Sequence, residues 1–327
     1  MSKKVLIIKS SSMGDVVHAL PVAYDIKQAM PDCQLHWVVE ESFADIVTLS
    51  PWIDKHITTA FRRWRKTILK SDTRGEIAEV KAELQAEKYD FVIDLQGLMR
   101  SALVARWTKA DTVGYSKDTI REPLASYLYR RTERVPESLT PVLRYRTMAS
   151  RVLGYPINEK EPRFGLKVAP VTPAGVTGEY AALAVNTSRP EKLWPQSRWI
   201  EVAKALKAEG MQSVFFWGNE QERLRVQEIA SAVEGSVVMP RSNIRALAQA
   251  IAGAKCLLGV DTGFSHLGAA LGVPSVGIIV GTSADLFRLV SEGACATVGD
   301  KGVIPQPEEV LAALASVIDE SRRIKGK

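Results

Sequence analysis

Two successive series of short apolar runs, each run followed by a helical stretch, restrict the fold more than any other feature. The first series is KVLIIK (4–9), LHWVVE (35–40), KHITTA (55–60), YDFVIDL (89–95) and DTVGY (111–115). The second is YAALAVN (180–186), QSVFFWG (212–218), GSVVMP (235–240), KCLLGV (255–260) and PSVGIIV (274–280). Between them lies LKVAPVTPAGVTGEY (166–180), rich in Pro and Gly. A strand that is apolar along its whole length is buried on both faces, as in a parallel sheet covered by helices. Intervening segments such as GEIAEVKAELQAEKY (75–89) carry the three- and four-residue apolar spacing of an amphipathic helix. The chain is therefore expected to be α/β, with two Rossmann-like domains, 1–168 and 169–327, facing a central cleft. Its 327 residues suit two domains of ordinary size. A last helix, from about Pro307 to Arg323 with the apolar middle VLAALASVI, could pack on either domain.

Composition narrows the classes further. The three cysteines, Cys33, Cys256 and Cys295, lie far apart without paired spacing, which argues against a disulfide framework or zinc site and for a reducing, cytoplasmic setting. The residues before VLII are too few for a signal peptide, and no apolar run approaches the roughly 20 residues that span a bilayer. The formal net charge is +6. Residues 1–165 hold 26 Lys and Arg against 21 Asp and Glu, whereas residues 166–327 hold 17 against 16. The excess in the first half points to an anionic partner there.

In open α/β sheets ligands bind beyond the carboxyl ends of the strands, so the loops that follow the strands are where function is sought. In the second half, GVDTGFSHLGAALGVP (259–274) runs from a strand into a helix. The backbone N–H groups of Thr262 and Gly263, with the Thr262 and Ser265 hydroxyls, would form an anion site, and His266 could add a donor. Equally, Asp261 could only cap the helix. The loop VNTSRPEKLWP (185–195) gathers Thr187, Ser188, Arg189 and Lys192, able to hold a diphosphate or merely to form a solvated loop. FFWGNEQER (215–223) offers Glu222 for ribose hydroxyls or for the dipole of its own helix. Three polar loops at three strand ends favour a nucleotide diphosphate.

The first half has instead FRRWRKTILK (61–70), where Arg62, Arg63, Arg65 and Lys66 crowd Trp64. Such a cluster could meet phosphates or an anionic membrane, with Trp64 at the headgroup boundary. DLQGLMRSAL (94–103) would place Asp94, Gln96 and Arg100 toward the same cleft, Gln96 and Arg100 to bind the acceptor. In KSSSMGDVVHALP (9–21) an acid, Asp15, stands where a phosphate-binding turn would not have one. It could complement the helix dipole, or act as a base for a hydroxyl attacking an activated sugar held by the other domain.

Together, KSSSMGDVVHALP, FRRWRK, DLQGL, REPLAS, NTSR..KLWP, WG..QE and GVDTGFSHLGAALGVP resemble the bacterial heptosyltransferases of the lipopolysaccharide inner core, type I most closely, from the first strand to about residue 280. The resemblance implies a GT-B fold and inverting transfer of L-glycero-D-manno-heptose from ADP-heptose to a Kdo residue of Kdo-lipid A. It implies no cofactor and no metal in the chemical step, at the cytoplasmic face of the inner membrane. It implies Asp15 as catalytic base, and Thr187, Ser188 and Lys192 as the donor-phosphate loop, with Ser188 where threonine is common. Glu222 would bind ribose, Asp261, Thr262, Gly263 and His266 the donor phosphates, and Arg62, Arg63, Arg65, Lys66 and Arg121 the acceptor phosphates. Ser242 stands where relatives carry a methionine beside the adenine. With ADP as leaving group, Lys192 and the helix beginning at Gly263 would stabilise the developing charge. Two other readings remain: a type II or related heptosyltransferase with another core acceptor, and a non-catalytic nucleic-acid binder that uses the basic half with Trp64 and Trp107. No nucleic-acid-binding motif supports the latter.

Overall fold

The computed structural model describes residues 2–326. The chain divides between Gly165 and Leu166 into two compact units, three residues ahead of the boundary expected from the sequence.

The first unit holds strands β1 (Lys4–Ile8), β2 (Gln34–Glu40), β3 (Lys55–Thr59), β4 (Phe91–Asp94), β5 (Thr112–Tyr115) and β6 (Arg131–Glu133). They form one sheet in the order β3-β2-β1-β4-β5-β6, parallel throughout. The second unit holds β7 (Tyr180–Ala184), β8 (Gln212–Phe215), β9 (Val237–Val238), β10 (Cys256–Val260), β11 (Ser275–Ile278) and β12 (Cys295–Val298), ordered β12-β11-β10-β7-β8-β9 and again parallel. Counted within its unit each sheet has the doubly wound order 3-2-1-4-5-6. In each, the strand order reverses between the first and fourth strands, β1 and β4 or β7 and β10. That switch point is where such sheets hold ligands.

All ten expected strands form; the central ones bury both faces, as Val5 to Ile8 and Leu257, Leu258 and Val260 have no exposed surface, whereas the edge strand β3 buries one face and the edge strand β9 is half-buried. Two strands were missed. β6 is the polar edge strand Arg-Thr-Glu, and β12 is a half-buried edge strand; neither has the apolar continuity of an interior strand. The helix expected over 75–89 runs from Ser71 to Ala86. The last helix, Pro307–Lys325, belongs to the second unit: Val310, Leu314 and Val317 join the cluster that contains Leu258, Val276 and Ile278. Within the first unit, Arg146 on the helix Pro141–Leu153 grips Asp25 on the helix Pro21–Ala29 through Nε at 2.7 Å and Nη2 at 3.1 Å, and donates to the Asn158 carbonyl at 2.7 Å. Among the described residues, no helix is long and apolar enough to cross a membrane.

Candidate active site

The first cluster lies at the switch point of the first unit. After β1, Lys9 to Ser12 lead into the helix Met13–Ala19, with Asp15 in its first turn. Two partners of the carboxylate are local: the Ser12 backbone N–H donates to Oδ2 at 3.0 Å and the Ser12 hydroxyl at 2.8 Å. Two come from elsewhere. The Tyr145 hydroxyl donates to Oδ1 at 3.0 Å, and the Lys9 ammonium lies 3.7 Å from the same oxygen. Lys9 also stands 4.5 Å from the centre of the Tyr145 ring. Its side chain is 3% exposed against 35% for Asp15. Burial pushes the Asp15 carboxyl up, but the Lys9 charge, both Ser12 hydrogen bonds and His18 outweigh it and hold the group well below the usual carboxylate range. Burial drives the Lys9 ammonium down, against the pull of Asp15 and Asp94.

The loop after β4 supports this turn. The Gln96 side-chain oxygen accepts from the N–H groups of Ser10 at 3.1 Å and Ser11 at 3.0 Å, and Arg100 donates to the Ser11 hydroxyl at 2.8 Å. Gly97, at φ 68°, turns the chain there, and the fully buried Asp94 accepts from Gln96 and from the Tyr129 hydroxyl. Gln96 and Arg100, expected to meet the acceptor, are thus placed to shape the loop that carries Asp15.

The basic run forms the helix Phe61–Thr67. Its start is held by the buried Glu40 at the end of β2, which accepts from the N–H groups of Phe61 at 3.1 Å and Arg62 at 2.8 Å. Arg62, Arg65 and Lys66 are exposed. Arg63 is bound instead to Glu41 and Glu76, and these hydrogen bonds raise its pKa. Trp64 corrects another expectation. It is 3% exposed and donates to Glu76 at 2.7 Å, so it is in the core rather than at a headgroup boundary. Trp107 packs on the apolar cluster of β1 and β4. Trp64 is buried and Trp107 only partly exposed, so the pair offers little for base stacking, which weakens the nucleic-acid reading. Arg121 is exposed in the loop after β5.

The second cluster lies at the other switch point. After β7, Thr187 donates to the Asp261 carbonyl at 3.2 Å, and the short turn Pro190–Lys192 brings the Lys192 ammonium 2.7 Å from Asp261 Oδ2. Thr282, in the loop after β11, donates to the same oxygen at 2.7 Å, and His266 Nε2 lies 3.6 Å from Oδ1. Burial pushes Asp261 up, but His266, Lys192 and Thr282 hold it well below the ordinary range. Asp261, expected to meet the donor phosphates, here holds the Lys192 ammonium in place. Thr262 precedes the helix Gly263–Ala270, and its carbonyl accepts from the N–H groups of Ser265 at 3.1 Å and His266 at 3.4 Å. Ser265, expected to face the anion, is fully buried and donates to the Val260 carbonyl. Ser188 is exposed. Glu222 accepts from the Gly218 N–H at 2.7 Å in the first turn of its helix, and Ser242 donates to the Pro240 carbonyl at 2.9 Å.

The family model for glycosyltransferase family 9 (heptosyltransferase) matches residues 77–309. The chain belongs to glycosyltransferase family 9. A lipopolysaccharide heptosyltransferase 1 of Pseudomonas aeruginosa is 36% identical over 315 residues, 94% of this chain and 89% of that protein. The structure of Escherichia coli heptosyltransferase WaaC with ADP matches with a TM-score of 0.87 at 32% identity, over 96% of this chain and 99% of that one. WaaC with ADP-2-deoxy-2-fluoro heptose matches with a TM-score of 0.83 at 33% identity, over 97% and 99% of the two chains. The likeness agrees with the GT-B class expected from the sequence.

For a family 9 glycosyltransferase, four side chains in or beside these clusters had escaped sequence reasoning: Lys9, Glu40, Tyr145 and Thr282. Lys9, Glu40 and Thr282 stand at or just beyond strand ends, the one signal available for them. Tyr145 gave none, because only the packing of a helix 130 positions away in sequence brings it to Asp15.

Proposed function

We propose that the chain transfers L-glycero-D-manno-heptose from ADP-heptose to a hydroxyl of a Kdo residue on Kdo-lipid A, with inversion. The second unit's cluster suits the donor. Lys192, Thr187, Ser188, Thr262, Gly263 and His266 offer charge and hydrogen bonds to a diphosphate, while Glu222 keeps one carboxylate oxygen for a ribose hydroxyl and Ser242 would meet the base. The first unit's cluster suits the acceptor, with Arg62, Arg65, Lys66 and Arg121 available to its phosphates. The acceptor oxygen bonds to the heptose anomeric carbon as its proton passes to Asp15. The bond from that carbon to the phosphate oxygen breaks, and ADP leaves with the electron pair, opposite Lys192. A carboxylate oxygen can accept more than one hydrogen bond, so the Ser12 and Tyr145 contacts leave room for the acceptor hydroxyl.

The observation that carries this reading is Asp15 itself: a partly exposed carboxylate, kept ionised, at the switch point of a family 9 unit. Asp15→Asn is expected to abolish ADP release in an assay with ADP-heptose and Kdo-lipid A, while calorimetry gives unchanged ADP binding. Wild-type turnover in that variant removes the base assignment. Transfer by the wild type only to an already heptosylated core removes the acceptor assignment.

The same reading places the protein peripherally on the cytoplasmic face of the inner membrane. Past the basic helix, Ile68 is 49% and Leu69 82% exposed, between Arg65, Lys66 and Lys70. Apolar tips ringed by cations suit an anionic bilayer surface. Sedimentation with vesicles containing phosphatidylglycerol, lost in Leu69→Asp, checks this; equal sedimentation of the variant refutes it.

A further inference from the structure

Taking Asp15 as the base, we infer that Lys9 and Tyr145 are positioning residues for the reaction, holding the outer carboxylate oriented and resetting it after each turnover. A helix start needs neither residue. The local requirement is met by Ser12, whose N–H and hydroxyl both bind Oδ2. Oδ1 is served from a distance: Tyr145 comes from a helix 130 positions on, and Lys9 rises from the end of β1 with only 3% of its side chain exposed. Burying an ammonium is unfavourable unless a counter-charge faces it. Position 9 is itself 3% exposed, so an apolar side chain there would have been buried without that cost.

The arrangement has a chemical consequence. Turnover leaves the acceptor's proton on Asp15, beside the Lys9 ammonium and within reach of solvent. A neutral acid gains nothing from that ammonium, whereas the carboxylate does, so the proton passes to water and the carboxylate is restored. The other charged or titratable groups facing this pair are His18 on the Asp15 helix, Asp94 at the end of β4, Arg144 beside Tyr145, Tyr115 on β5 and Arg121. Of these, His18 acts on Asp15 in the same sense as Lys9, and Asp94 stabilises the ammonium.

The test is the pH dependence of kcat/KM for Lys9→Met and Tyr145→Phe, with ADP-heptose and Kdo-lipid A as substrates. Removing the opposite charge is expected to move the acid limb to higher pH by about 1 to 3 units. Tyr145→Phe, which deletes one hydrogen bond to the anion, is expected to move it in the same direction by less. ADP affinity and melting temperature report whether each variant is folded. Should Lys9→Met fail to fold, Tyr145→Phe decides alone. Folded variants with the wild-type acid limb overturn the assignment. Asp15→Asn, run in parallel, separates the two levels: if it turns over, the base itself is wrong, and if it is inactive while the limbs stay fixed, only the role of Lys9 and Tyr145 is lost.

Discussion

Replacing Lys192 with methionine tests the donor half of the mechanism, because methionine keeps most of the stem and removes the ammonium, both its charge and its hydrogen bonds. The Lys192 ammonium and Asp261 Oδ2 are 2.7 Å apart, with side chains 14% and 6% exposed. At an effective dielectric near 20, charges at that distance attract by about 6 kcal/mol before desolvation is subtracted. Breaking a buried pair from one side costs about 3–5 kcal/mol, and Thr282 and His266 still face the abandoned carboxylate, so the lower end applies. That is a fall in Tm of roughly 6–12 °C at ~2–4 °C per kcal/mol for a unit of this size. The catalytic loss is separate. Deleting one donor aimed at charge that develops in the transition state lowers kcat by about 10²–10³. Asp261→Asn makes the contrast: it keeps the cation but removes the negative charge beside the diphosphate. ADP should therefore bind it more tightly, while turnover slows because the lysine is no longer aimed. Calorimetric ADP titrations and steady-state ADP release, below the melting transition of each variant, provide the measurements. A kcat within threefold of wild type for Lys192→Met refutes the assignment. So does Asp261→Asn losing ADP affinity as Lys192→Met does.

Three further outcomes follow from particular contacts. In Gly281→Ala the new Cβ would stand 2.5 Å from the Glu191 carbonyl oxygen, inside the turn that carries Lys192. With a displacement approaching 1 Å costing up to ~10²-fold in rate, kcat should fall while the acceptor KM is unchanged, as initial-rate kinetics would reveal. Glu40→Gln weakens the charge-assisted grip on the Phe61 and Arg62 N–H groups and should raise the acceptor KM several-fold with the donor KM unchanged. Asp25→Ala strands the buried Arg146 and should destabilise the first unit by about 3–5 kcal/mol in urea unfolding, with little effect on ADP affinity.

The strands were legible because burial on both faces leaves a continuous apolar signature, as in Val5 to Ile8. The order of the strands was not, since nothing in a strand's own residues states its neighbour; that order is what brings the loops after β1 and β4, and after β7 and β10, together. Polar loops could be found by position, but not the direction of their side chains. Asp261 and Gln96 show the difference. Both sit where a ligand-binding residue would, yet Asp261 turns onto Lys192 and Gln96 onto the Ser10 and Ser11 backbone. Arg63 and Trp64 likewise look available in a basic run, until Glu41 and Glu76, 13 or more positions from Arg63, bind the arginine and Glu76 also takes the indole N–H.

The two units also share a device with its polarity reversed. Each switch point carries a lysine–aspartate pair. In the first, Lys9 is 3% exposed and Asp15 35%, so the cation is the support and the carboxylate the working end. In the second, Asp261 is 6% exposed and Lys192 14%, so the carboxylate is the support and the cation faces outward. In the proposed reaction, an outward carboxylate backed by an ammonium would accept a proton from an attacking hydroxyl and then release it. An outward ammonium backed by a carboxylate meets a departing diphosphate without being buried alone. In the proposed reaction, one strand order would thus serve both the base and the leaving group, according to which member of the pair is the more exposed. Exchanging the members within either pair, Lys9→Asp with Asp15→Lys or Lys192→Asp with Asp261→Lys, preserves net charge but should remove turnover. Activity surviving either exchange would show that the orientation of the pair, as distinct from its presence, is irrelevant to the reaction.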